Sequence, residues 1–344
     1  MSKHDPKLLL QSAPLLRQGM TTPAAMRDVW IALLPASLAA LWYFGLAALL
    51  VLLTSIAGAV LTEWLFTPRE RRAITLHDNS AALTGLLLGL TLPPALPLWM
   101  AFLGGMASIG LGKIIWGGLG SNIFNPALVG RAFLLATFPN AMTTWTAQSG
   151  PADFLTLHAS NLALPFMQAP TVGAGTDAMT TATPLNLMKF EHQGTDLGAL
   201  LLGNTSGSLG ETSALLLILG GIYLFLRRGL DWRIPLGILG SAALFSAALF
   251  LIEGDKYPTP LFSLLSGGML LGAIFMATDP VTSPVTPKGA WLFAIGVGLL
   301  VVLIRVFGGF PEGMMYAILL MNAATPLIDR YTQPRAFGRK RATK

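Results

Sequence analysis

Long apolar runs, separated by short basic or Pro/Gly-rich breaks, dominate this chain from residue 29 to residue 328. Ten runs qualify as candidate spans, roughly 29–43, 46–66, 80–92, 97–112, 124–138, 212–226, 234–252, 261–277, 290–307 and 311–328. A helix needs about 20 apolar residues to cross about 30 Å of hydrocarbon. Several runs fall short of that, and 80–92 stops at Pro93-Pro94. Such pieces are tilted, extended into polar flanks, or half-helices meeting near the midplane, where irregular backbone survives only under cover of protein or beside a cavity. The pattern therefore predicts an all-α polytopic membrane protein of about ten transmembrane helices, some of them broken.

Charge orients those helices. With the N-terminus in the cytoplasm, eighteen of the 22 Lys and Arg fall on the cytoplasmic side. Lys189 and Lys256 lie outside, and Arg131 and Arg305 lie in or beside spans. The acidic residues divide evenly, as expected of a rule that concerns Lys and Arg alone. The chain then divides into a cytoplasmic segment 1–28, a five-span unit 29–138, an external loop 139–211, a second five-span unit 212–328 and a basic tail 329–344. Five is odd, so two five-span units would have opposite topology, the inverted-repeat plan of many transporters. Leu83-Thr84-Gly85-Leu86-Leu87-Leu88-Gly89 echoes Leu265-Ser266-Gly267-Gly268-Met269-Leu270-Leu271-Gly272 in support. Trp116-Gly117-Gly118 likewise echoes Phe307-Gly308-Gly309.

Composition agrees with this picture and narrows the chemistry. Of 344 residues, 53% are apolar and only 11% charged, against roughly 25% charged in soluble domains. The isoelectric point near 9.8 reflects cytoplasmic anchoring and calls for no nucleic-acid partner. The first 25 residues lack the apolar core of a cleavable signal, so insertion through the chain's own helices is expected. There is no cysteine, which excludes disulfides and any iron–sulfur cluster held by this chain's thiolates. Of His4, His77, His158 and His192, only His77 lies near a candidate span, so a haem held between facing helices is not expected. No catalytic residue and no metal-ligand set is assigned.

The external loop contains Asp177-Ala178-Met179-Thr180-Thr181-Ala182-Thr183, which fits the flavinylation pattern D-x-x-[ST]-x-A-T. Here the chain resembles the RnfD/NqrB family, and the RnfD subunit of Rnf ion-translocating electron-transport complexes in particular. The resemblance runs in order through Met26-Arg27, Ser80-Ala81-Ala82-Leu83-Thr84-Gly85, Gly117-Gly118-Leu119-Gly120-Ser121-Asn122-Ile123-Phe124-Asn125-Pro126, Gly207-Ser208-Leu209-Gly210-Glu211-Thr212-Ser213, Thr278-Asp279-Pro280 and Pro326-Leu327-Ile328-Asp329. Thr181 departs from the Gly usual in NqrB-like members.

This resemblance implies FMN joined to Thr183 by a phosphoester, with Asp177, Thr180 and Ala182 framing the acceptor. A Thr hydroxyl is a poor nucleophile with no base beside it in sequence, so attachment falls to a separate flavin transferase, which the resemblance implies is periplasmic. The Ser208, Gly210 and Glu211 segment is either the surroundings of the FMN phosphate at a helix N-terminus or an ordinary cap. By the same resemblance Asn122 and Asn125 are candidates for a non-covalent riboflavin, because Asn offers paired donors and acceptors. Two Asn capping a broken helix is the other reading. The implied partners are the other Rnf subunits, including a periplasmic FMN subunit and iron–sulfur subunits, in a bacterial inner membrane. The implied function is relay of electrons between ferredoxin and NAD, coupled to Na⁺ or H⁺ movement. An NqrB-like role in a Na⁺-pumping NADH:quinone oxidoreductase and a non-redox transporter are the alternatives.

Overall fold

The computed structural model describes residues 21–148, 150, 154–155, 157–165, 182–211, 213–254 and 256–334. Asp177, Thr180 and Thr181 lie outside these. Among the described residues the architecture is helical, and three helices are long and apolar enough to cross a membrane: α1 (Thr22–Phe66), α10 (Arg233–Ile252) and α13 (Pro287–Phe307). Shorter apolar helices are α3 (Ser80–Leu90), α4 (Leu98–Ile109), α5 (Pro126–Thr137) and α9 (Ala214–Leu226), with the brief α6 (Pro139–Thr143) and α8 (Leu197–Leu202) between the last two. A last helix, α14 (Met314–Thr332), closes the described chain. Each apolar run of the sequence thus carries helix. A short polar helix, α2 (Arg69–His77), has no counterpart among those runs.

Helix α1 is not straight. Gly45 sits at φ +61°, ψ −143°, a conformation that L side chains rarely adopt. Met26 and Lys113 line one cavity, and Lys113 binds Glu63 at 2.5 Å. A straight helix would hold Met26 and Glu63 about 55 Å apart, so the chain doubles back at Gly45. The reversal leaves backbone groups without helical partners, and the loop supplies them. Leu46 N–H donates to Phe154 O at 2.8 Å, and Gly150 N–H donates to Tyr43 O at 3.2 Å. A Cβ on Gly45 would stand 2.5 Å from that Phe154 oxygen.

Two further breaks are satisfied in the same way. Between α3 and α4, residues Thr91 to Pro97 are buried and irregular. Asn161 Nδ2 donates to Pro94 O and to Leu96 O, both at 2.9 Å, and Ser160 Oγ donates to Ala95 O at 2.7 Å. The run 261–277 divides into α11 (Pro260–Leu265), a turn at Ser266–Gly268, α12 (Met269–Leu271) and a π-helical turn, Gly272–Met276. Gly267 there has φ +63°. Arg305 Nη1 donates to Ser263 O at 2.6 Å and Nη2 to Ser266 O at 3.0 Å. Unpaired backbone groups away from water are costly, and these side chains explain how the breaks persist.

Small residues let the helices approach closely. A Cβ on Gly105 of α4 would come within 2.3 Å of Ser55 O, and one on Gly58 within 2.2 Å of Phe102 O. Such contacts are the usual means of packing helices where lipid removes the hydrophobic incentive. One apolar cluster, running from Ala32 and Leu33 through Leu88 and Leu90 to Phe293 and Ile318, joins both halves of the chain. Exposed side chains at Leu38, Trp42, Leu244 and Leu251 face outward from the helices and suit a hydrocarbon surround.

Candidate functional site

Thr183 opens the short helix α7 (Pro184–Asn186), which continues as a π-helical turn, Leu187–Glu191. Pro184 at the first helical position and a Thr before it form a favourable start. Thr183 Oγ1 accepts from Asn186 N–H at 3.2 Å, and the residue is only 5% exposed. It lines a cavity of about 590 Å³, mouth included, together with Arg131, Trp145, Asn186, Glu312 and Tyr316. Arg131, from α5, is ion-paired with Glu312, from the loop before α14. The first and second halves of the chain thus meet beside the Thr183 hydroxyl.

Glu211 lies next to that ion pair, in a 3-10 turn, Leu209–Glu211, ahead of α9. Burial pushes its carboxyl up to about 8, and Glu312 adds to the effect while Arg131 opposes it. Its carboxyl also interacts with the neighbouring Ser208 hydroxyl and with the Glu312 carboxyl. Gly210 packs on α3, where a Cβ would stand 2.9 Å from Leu90 O, and Leu209 N–H donates to Leu92 O at 3.1 Å. The cap of α9 is Ser213, whose Oγ accepts from Leu216 N–H at 3.4 Å. Of the Ser208, Gly210 and Glu211 set, the structure brings Glu211 to the Arg131–Glu312 pair. Ser208 and Gly210 are not among the residues lining the Thr183 cavity. Ala182 is exposed beside Thr183.

Asn122 and Asn125 line a different cavity, about 750 Å³ with its mouth, shared with Met26, Lys113, Leu224 and Asp279. Asn125 caps α5: its Oδ1 accepts from Ala127 N–H at 3.0 Å and from Leu128 N–H at 3.4 Å. Its Nδ2 donates to Met276 O at 3.0 Å, a carbonyl at the end of the π-helical turn. Asn125 is therefore committed to holding two broken elements together. Asn122 donates to Phe124 O at 3.3 Å, but its Oδ1 is buried and unpartnered among the described residues. Asp279 caps the turn that follows, accepting from Val281 N–H at 3.3 Å and Thr282 Oγ1 at 3.2 Å, and burial pushes its carboxyl up.

Sequence reasoning misses the lysine of this second cavity. Lys113, 3% exposed, donates to Glu63 at 2.5 Å and to Ser80 Oγ at 2.7 Å. Glu63 is 2% exposed and its Oε2 has no partner. Charge inside an apolar helix run is the available signal, yet Lys113 and Glu63 fall near span ends and read there as ordinary anchors. Asp28 and Arg227 form a related tie, at 3.2 Å, between the start of α1 and the end of α9.

A family profile described as NQR2, RnfD, RnfE family matches residues 9–338. The chain belongs to this family. Among its curated members is a subunit of the proton-translocating ferredoxin:NAD(+) oxidoreductase complex of Clostridium ljungdahlii, 42% identical over 342 residues and 96% of each chain. A subunit of the Na(+)-translocating ferredoxin:NAD(+) oxidoreductase complex of Acetobacterium woodii is 41% identical, over 96% of this chain and 95% of that one. A subunit of the ion-translocating oxidoreductase complex of Stutzerimonas stutzeri is 43% identical, over 91% of both. The resemblance read from the motifs is borne out. In this NQR2/RnfD/RnfE member the motif that closes on Thr183 ends at a buried helix cap facing a cavity, and Asn122 and Asn125 wall a second cavity beside Lys113.

Proposed function

We propose that this chain is the membrane flavoprotein subunit of an Rnf-type complex, passing electrons between ferredoxin and NAD with coupled Na⁺ or H⁺ translocation. The observation that carries the reading is Thr183 itself: the last residue of the flavinylation motif sits in the wall of a cavity beside a conformationally tied arginine. The residues present fit a flavin. The cavity offers Trp145 and Tyr316 for ring contact and Arg131 for an anionic group. When bound, the flavin would supply reversible electron acceptance. The protein's share is to hold the tether at the α7 cap, screen charge through Arg131 and limit water by burial. Because Thr183 is 5% exposed, attachment by a transferase requires the α7 segment to be undocked, so modification precedes final packing.

On this reading ten spans form two inverted five-helix units. Both termini lie in the cytoplasm and residues 139–211 face the periplasm, where the transferase and an FMN-bearing partner subunit operate. The Asn122 cavity, at the end of the bundle that carries Arg227 and Lys113, would take a second, non-covalent flavin, riboflavin by family analogy. Asn122 Oδ1 is the free acceptor for it, whereas Asn125 serves the backbone. Iron–sulfur clusters reside on partner subunits, since this chain has no cysteine.

The deciding experiment produces the chain together with a flavin transferase and examines denatured protein for in-gel flavin fluorescence, followed by peptide mass spectrometry. FMN on the Thr183 peptide, lost in Thr183→Ala with membrane insertion unchanged, is the expected result. Unmodified Thr183 in competent cells would overturn the flavoprotein reading in favour of a non-redox transporter.

A further inference from the structure

A third cavity lies on the other face of the segment that carries Thr183. Thr183 and Asn186 face one side, while Leu185, Met188 and Lys189 face this larger space of about 920 Å³, mouth included. Its walls are apolar: Leu249 of α10, Phe262 of α11, and Val302, Val306 and Phe307 of α13. Phe307 is 69% exposed, and Leu251 and Ile252 nearby on α10 are 85% and 73% exposed. The cavity therefore opens onto the outward, hydrocarbon-suited surface of the bundle rather than into its interior.

The charged groups at this cavity are the cations Lys189, Lys256 and Arg305. Lys189 and Lys256 stand at the rim, His192 beside them, and among the described residues no carboxylate lines the cavity. Lys189 Nζ donates to Gly308 O at 2.5 Å and to Phe310 O at 3.2 Å. Those bonds position the ammonium at the rim and leave one proton undirected. Lys256 meets Glu253 at 3.3 Å, but both side chains are more than half exposed, so the pair is weak and exchangeable. Arg305 closes the floor at 9% exposure, with its Nε–H buried and unpartnered among the described residues. Its two other bonds go to neutral carbonyls. Glu312 and Glu211 reach its charge, yet neither lines this cavity.

Apolar walls open to hydrocarbon, beneath a rim of cations, match one kind of occupant: a molecule with fatty chains and a net negative headgroup. We propose that this cavity binds one anionic phospholipid of the surrounding bilayer, its acyl carbons along α10 and α13 and its phosphate between Lys189 and Lys256. The proposal rests on the membrane-spanning reading and is independent of the flavin on Thr183. By seating lipid against Leu185 and Met188, the site would brace the segment that carries the tether.

The test uses the full chain, exchanged from detergent into nanodiscs of phosphatidylcholine and phosphatidylglycerol and released for native mass spectrometry. One retained phosphatidylglycerol is expected in preference to phosphatidylcholine. Each cation near a lipid surface contributes about fivefold, so Lys189→Gln with Lys256→Gln should reduce that preference about 25-fold. Leu249→Trp, which fills the cavity, should abolish retention of both lipids. The lysine pair includes an exposed side chain and a rim side chain, so it remains informative if the tryptophan variant fails to fold. Equal retention of the two lipids, no retained lipid, or an unchanged preference in the lysine variant would overturn the proposal. Thr183→Ala measured alongside should keep the lipid while losing any covalent FMN, which separates the two readings.

Discussion

Asn161→Ala tests the requirement that buried irregular backbone be satisfied. Asn161 is 1% exposed, and its Nδ2 serves Pro94 O and Leu96 O at 2.9 Å each, between α3 and α4. Both acceptor residues are buried. The two bonds to the break contribute about 1–3 kcal/mol together, rising to roughly 2–6 kcal/mol if both carbonyls stay without a partner, beside a third bond that Asn161 Oδ1 accepts from His158 N–H at 3.2 Å within its own turn. Because the chain has no cysteine, one introduced at Ala101, which is 0% exposed, reports opening of this region through thiol labelling. Local opening should accelerate labelling by roughly five- to 150-fold for a loss of about 1–3 kcal/mol. Ser160→Ala, which removes a single bond to Ala95 O, provides the internal scale and should show a smaller acceleration. If Asn161→Ala opened no faster than Ser160→Ala, the carbonyls of the break would have to be satisfied otherwise, and the account of the break would be wrong.

Two further expectations concern charge. Lys113→Met or Glu63→Gln alone should destabilise the fold by about 3–5 kcal/mol, because each leaves a buried partner uncompensated. The double variant should recover most of that loss in thermal unfolding, and an additive result would remove the pair from the account. Glu211 is held near 8 in the folded chain against an ordinary value of 4.5. Between those values the folded form keeps a proton that the unfolded chain releases, so stability falls as pH rises through that window and levels off above it. Unfolding midpoints from pH 5 to 9 should therefore slope downward in the wild type and flatten in Glu211→Gln. Parallel curves would show that Glu211 does not titrate there.

Much of this protein is legible one residue at a time. Hydropathy is local, and the helices stand where the apolar runs of the chain predict them, from Thr22 to Thr332. The motif ending in Thr183 and the ordered segments around it are enough to assign the family. The polar helix α2 escapes because its pattern carries no apolar run.

Tertiary structure decided which polar residues are partners, and those pairings are far apart in sequence. In sequence Asn125 suits a flavin edge or a cap, and only the position of Met276 O, 151 residues away, shows its amide committed to backbone. Arg305 reads as a costly charge in a span, and only the break at Ser266–Gly268 reveals two carbonyls, about 40 residues before it, that need its guanidinium. Arg131 found Glu312 across 181 residues, which set an ion pair beside Thr183. Apolar burial is non-directional and can be read from composition along the chain. Hydrogen bonds and ion pairs require specific atoms within about 3 Å, and that proximity exists only once the chain has folded.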